Sequence, residues 1–167
     1  MARTDTTNSL SEDMTKPVPA GAIAPDFTLQ DQHGQDVSLS ALRGRPVLLV
    51  FYPLAFSGVC SGELTQLRDR HTEFTEHDTT VLAVSVDSTF ALRTWSDREG
   101  FPFPLLSDFW PHGGVADIYG VLDTDRGIAR RGTFLIDTEG TVRWQTVTPI
   151  SEPRDVDTYL EQIRALP

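Results

Sequence analysis

The sequence predicts an α/β fold, in which a central mixed β-sheet is flanked by helices on both faces and preceded by an N-terminal β-hairpin. Three observations carry this. Residues 46–52 (Pro-Val-Leu-Leu-Val-Phe-Tyr) and 80–86 (Thr-Val-Leu-Ala-Val-Ser-Val) are near-continuous apolar runs, as expected of strands covered on both faces. Between them Leu64, Leu67 and Phe74 recur at helical spacing among charged residues. Toward each end of the chain, two alternating segments flank residues with turn chemistry.

Residues 1–18 are polar and end in Lys16-Pro17-Val18, so they are predicted to form a mobile tail, with residues 19–167 as one domain. Asp26-Phe27-Thr28-Leu29 and Asp36-Val37-Ser38-Leu39 alternate about the turn Asp31-Gln32-His33-Gly34, which predicts an edge hairpin. The first apolar run should lie centrally in the sheet, followed by a loop over residues 53–57 and then the helix. After the second run, Ser88 is placed to cap a helix that carries Leu92 and Trp95 and stops at Gly100. Residues 131–136 and 141–145 flank Asp137-Thr138-Glu139-Gly140 as a second hairpin. Val156, Tyr159, Leu160 and Ile163 mark a final helix. Phe56, Trp95, Phe101, Phe103, Phe109 and Trp110 are expected mostly to fill the core.

The 24 acidic residues outnumber the 14 basic ones, giving a net charge of -10. Such a chain repels phosphate backbones and anionic lipid, which argues against nucleic-acid and membrane partners. No apolar stretch near the start could serve as a signal-peptide core, and one cysteine forms no intramolecular disulfide. The expected location is the cytoplasm. His33, His71, His77 and His112 lack the paired spacing of zinc ligands.

The single thiol, Cys60, lies where the chain leaves a buried strand and enters a helix. Free backbone N–H groups and the helix dipole at such a point favour a thiolate. Ser57, three residues earlier, can turn its hydroxyl toward the sulfur, and Pro53, with no N–H, can limit water access. Each has a plainer explanation: lone cysteines are usually inert core, serine caps helices and proline ends strands. The coincidence of all three in Pro-x-x-x-Ser-x-x-Cys argues for chemistry.

That motif resembles the active-site pattern of the peroxiredoxins, with Ser57 in a slot more often held by threonine. Residues 21–29 and 131–137 also resemble the family's opening segment and its arginine-bearing strand. Residues 53–56, 62–64 and 103–113 are similar to the one-cysteine alkyl hydroperoxide reductase E type. The resemblance implies a thioredoxin-like fold and a thiol-dependent peroxidase. In that role Cys60 is the peroxidatic nucleophile, Ser57 orients thiolate and peroxide, Pro53 shields them and Arg131 supplies a guanidinium. Arg131, rather than its neighbour Arg130, directly precedes Gly-Thr-Phe. Glu63, one turn after Cys60, either organises that arginine or is an ordinary exposed helix residue.

Attack on a peroxide leaves a sulfenic acid, and no metal or organic cofactor is called for. With no second cysteine, an external thiol must complete the cycle; the resemblance suggests mycothiol with a mycoredoxin-like protein, or another glutaredoxin or thioredoxin. It also implies a homodimer, with some of the six aromatics above lining an interface near the active-site loop instead of the core. A dithiol oxidoreductase would need cysteine in place of Ser57. A Cys60–His71 hydrolase would place its two groups about 16 Å apart along one helix. The alternative from another class is a thioredoxin-fold sensing or binding module without efficient turnover.

Overall fold

The computed structural model describes residues 16–167, and the two apolar runs form the centre of its seven-stranded mixed sheet. The expected hairpin consists of β1 (Thr28–Gln30) and β2 (Asp36–Ser38), antiparallel at one edge. A 3-10 turn at Leu39–Leu42 leads to β3 (Val47–Phe51), whose five residues are all buried. Then come α1 (Gly58–Asp69), α2 (His71–Glu76) and β4 (Thr80–Ser85), which pairs in parallel with β3.

The helix α3 (Thr89–Glu99) begins as predicted, with the Ser88 hydroxyl accepting the Ala91 N–H. It ends at Gly100, whose φ of 68° suits a residue without Cβ. Next are β5 (Leu105–Ser107), α4 (Gly114–Ile118) and a small separate hairpin of β6 (Leu122–Asp123) and β7 (Ile128–Ala129). The second predicted hairpin is β8 (Arg131–Ile136) with β9 (Val142–Thr148), and α5 (Val156–Arg164) follows. The order across the sheet is β2-β1-β5-β4-β3-β8-β9.

Alternation along the central strands divides the core in two. Leu48, Val50 and Tyr52 face α1, α3 and α5, together with Leu64, Leu92, Trp95 and Leu160. Val47, Leu49 and Phe51 face the other side, toward Val115, Ala116 and Tyr119. Apolar burial on both faces explains why the sequence of β3 shows no polar alternation.

The structure departs from the sequence-based expectation in three places. One helix was expected to run from Cys60 past His71, but it breaks at Arg70 (φ −109°, ψ 17°), where two helices meet. The guanidinium of Arg70 bridges Glu73 and Asp157, which ties this corner to α5. The predicted tail ends too late: Val18 donates its N–H to Tyr119 (3.1 Å) and packs on the core, while residues 1–15 lie outside the described residues. Among the six aromatics, Trp95, Phe101 and Phe103 are buried, whereas Phe56, Phe109 and Trp110 stand exposed on loops. None of the described helices is long and apolar enough to cross a membrane.

Candidate active site

Cys60 is the third residue of α1, so its N–H and those of Gly58 and Val59 lie in the first turn, beyond the reach of intrahelical carbonyls. Its side chain exposes no surface and packs in the cluster that holds Tyr52, Leu64 and Trp95. An inert core cysteine would meet only apolar neighbours. Here Nη2 of Arg131 stands 3.2 Å from the sulfur.

Arg131 reaches the sulfur because of strand parity. Residues 131, 133 and 135 of β8 share a face, and Leu135 lies in the same cluster as Cys60. Arg130 falls on the opposite parity and donates instead to the Gly120 carbonyl. Beside Arg131, Gly132 is required by close approach: a Cβ there would meet Cγ1 of Val121 at 2.7 Å and the Phe134 ring at 3.4 Å.

Glu63 lies one turn beyond Cys60 and is 4% exposed, which excludes the ordinary surface helix residue. Its Oε1 accepts from Nη1 of Arg131. Its Oε2 accepts both the backbone N–H and Nε of Arg154, each at 2.7 Å. Sequence reasoning missed Arg154 altogether. Its Nη1 donates to the carbonyls of Phe51 (2.7 Å) and Gly132 (3.1 Å) and to the Thr133 hydroxyl (3.1 Å), which also bonds the Tyr159 hydroxyl at 2.9 Å. Burial opposes the Arg154 charge, but Tyr159 and Glu63 outweigh it and raise its pKa above the ordinary value. The only available signal was indirect, since a buried carboxylate beside a sulfur needs more cation than one arginine supplies.

Pro53 is buried at the end of β3. Ser57 is the N-cap of α1 by position, yet its hydroxyl makes no cap bond and no hydrogen bond to the sulfur. It donates to the Leu54 carbonyl at 3.1 Å, satisfying itself locally as serine in a turn does. Its lone pairs remain able to accept. The Tyr52 hydroxyl is fully buried without a hydrogen-bond partner among the described residues, and burial drives its pKa far above the usual value. Among the described residues no three His, Cys, Asp or Glu side chains are grouped closely enough to hold a metal ion.

A thiol held by a guanidinium at a helix start, on a thioredoxin-like sheet, defines a thiol-redox protein. A family model described as AhpC/TSA matches residues 20–145. Alkyl hydroperoxide reductase E of Mycobacterium bovis is 50% identical over 147 residues, covering 87% of this chain and 96% of that protein. Among solved structures, the reduced 2-Cys peroxiredoxin of Plasmodium vivax superposes with a TM-score of 0.81 at 30% identity, covering 89% of this chain and 82% of that one. Peroxidoxin BcpB of Mycobacterium tuberculosis gives 0.79 at 33% identity, covering 89% and 97%. The chain belongs to the AhpC/TSA family as a peroxiredoxin of the alkyl hydroperoxide reductase E type. It is therefore an oxidoreductase, a thiol-dependent peroxidase.

Proposed function

We propose that this peroxiredoxin reduces hydrogen peroxide and organic hydroperoxides at Cys60 and relies on an external thiol for recycling. The observation that carries the reading is the 3.2 Å approach of Arg131 to the sulfur. Glu63, Arg131 and Arg154 together carry one excess positive charge in a buried cluster, and a thiolate at Cys60 cancels it.

The thiolate attacks the terminal peroxide oxygen in line. An S–O bond forms, the O–O bond breaks, and the leaving oxygen takes a proton and departs as water or alcohol. Sulfur is oxidised by two electrons to the sulfenic acid as the peroxide is reduced. The Arg131 guanidinium serves both ends of the step, holding the thiolate and stabilising charge that develops on the oxygens. Ser57 accepts the peroxide O–H through its free lone pairs, and Pro53 helps exclude water. Glu63 and Arg154 hold Arg131 in place.

One external thiol then condenses with the sulfenic acid, releasing water and leaving a mixed disulfide, and a second thiol exchange frees Cys60. The family resemblance suggests mycothiol with a mycoredoxin-like protein, or another glutaredoxin or thioredoxin, as this reductant. The working unit is a homodimer in the cytoplasm, with no bound cofactor.

The test adds one equivalent of hydrogen peroxide to the reduced protein, with Cys60→Ser as control. Gain of one oxygen at Cys60, trapped by a sulfenic-acid probe at a rate far above that of a free thiol, is expected. Consumption no faster than that of a free thiol overturns the reading.

A further inference from the structure

The geometry points to Asp87 as the residue that positions the active-site loop, a role that rests on the peroxidase reading above. Residues 53–57 leave the sheet at the end of β3, beside the end of β4, where the Tyr52 N–H still bonds the Val84 carbonyl. Asp87 lies just beyond β4. Its Oδ2 accepts the Ala55 N–H at 2.8 Å. Among the described residues, no other side chain outside the loop hydrogen-bonds to residues 53–57.

Asp87 is itself held firmly. The same Oδ2 accepts the Ser85 hydroxyl at 2.7 Å, and the Asp87 carbonyl accepts the Ser107 hydroxyl at 2.6 Å. The carboxylate therefore ties the loop to β4, while the Asp87 backbone is anchored to β5.

The loop needs such a tether at this point. Phe56, the next residue, has a φ of 65°, in the left-handed region that side chains disfavour. A strained backbone persists only when its surroundings over-determine it. Asp87 holds the residue before Phe56, and the Trp95 ring, 5.8 Å away between centroids, meets the Phe56 side chain. Ser57 follows immediately, then the first turn of α1 with Cys60. Releasing Ala55 lets the Phe56 turn relax, which carries the Ser57 hydroxyl away from the oxygen it must meet.

What the loop uses of Asp87 is a single acceptor oxygen, the one that takes the Ala55 N–H. Asparagine should therefore serve in its place. The experiment compares wild type, Asp87→Ala and Asp87→Asn in single-turnover sulfenate formation with hydrogen peroxide and in alkylation of Cys60 by iodoacetamide. A misplaced catalytic group costs up to about 100-fold, so Asp87→Ala should react with peroxide at least about tenfold more slowly. Its alkylation should be unchanged or faster, because a loosened loop uncovers the sulfur. Asp87→Asn should stay within about threefold of wild type in both assays.

The inference is overturned if Asp87→Ala keeps the wild-type peroxide rate, if its alkylation falls in proportion, or if asparagine is as slow as alanine. Asp87→Glu keeps the charge but carries it one methylene too far, so it should be slow with peroxide and replaces the alanine variant if that one does not fold. A wild-type protein no faster than a free thiol overturns the peroxidase reading instead, which separates the two failures.

Discussion

Glu63 and Arg154, 91 residues apart, are joined through both the backbone N–H and the Nε of the arginine, each 2.7 Å from the same carboxylate oxygen. The loop before α5 is thereby fastened to the helix that carries Cys60. The other carboxylate oxygen holds Arg131, so a single glutamate aligns both cations of the site.

Glu63→Gln leaves two buried guanidinium groups without their anion. Breaking a buried ion pair on one side costs about 3–5 kcal/mol. The urea midpoint should drop accordingly, and sulfenate formation should slow as Arg131 loses its alignment. A variant as stable as wild type would show that the network contributes no net stability.

Arg131 opens β8 and meets the sulfur, whereas Arg130, one residue before the strand, donates to the Gly120 carbonyl. Arg131→Lys replaces a planar fork with a point charge, and losing a preorganised donor costs about 100-fold or more in rate. Arg130→Lys should change the rate by about twofold at most, as substitutions remote from the reacting atoms do. Stopped-flow measurement of both variants checks this, and equal effects would remove the special role of Arg131.

Burial lowers the pKa of His71, whose ring lies 5.9 Å from that of Phe103. The folded state thus resists protonation more than the unfolded chain, which begins to take up a proton near pH 6.5, about the ordinary histidine value. The unfolded state binds more protons in that window, so stability falls as pH drops below it. Denaturation midpoints measured from pH 7.5 to 5 should decline less steeply in His71→Gln than in wild type. Parallel curves would exclude His71 as the source.

Gly132→Ala should destabilise the protein by about 1–3 kcal/mol, the usual cost of overpacking, because Val121 already occupies the space a methyl would need. The strain falls beside Arg131, so peroxide reactivity should fall along with thermal stability. A variant with unchanged melting temperature would mean that Val121 yields freely.

The central strands, the Ser88 cap and the two hairpins were legible because each is written in local sequence: unbroken apolar runs, a capping serine, turn residues at fixed offsets. Arg131 was legible through its motif, and strand parity supplies the physical reason. Arg154 was not, because it sits in a loop with no periodicity and its partners lie 21 to 103 residues away. The helix break at Arg70 carries no glycine or proline, and it is stabilised by Asp157 from the far end of the chain. Ser57 stands at the N-cap position of α1, but its hydroxyl bonds a carbonyl three residues back. A spacing pattern encodes no such orientation.

The Cys60 side chain exposes no surface, and the loop before it holds Phe56 in an unfavourable turn, so a reactant of any size requires some local movement to touch the sulfur. A two-oxygen molecule asks little of the surrounding side chains, whereas a bulky thiol needs room to bring its sulfur within bonding distance. In the proposed cycle, oxidant and reductant therefore ask for different degrees of opening from the same few residues. On the proposed cycle, a small movement would admit the oxidant and a larger one the reductant, with no separate regulatory part.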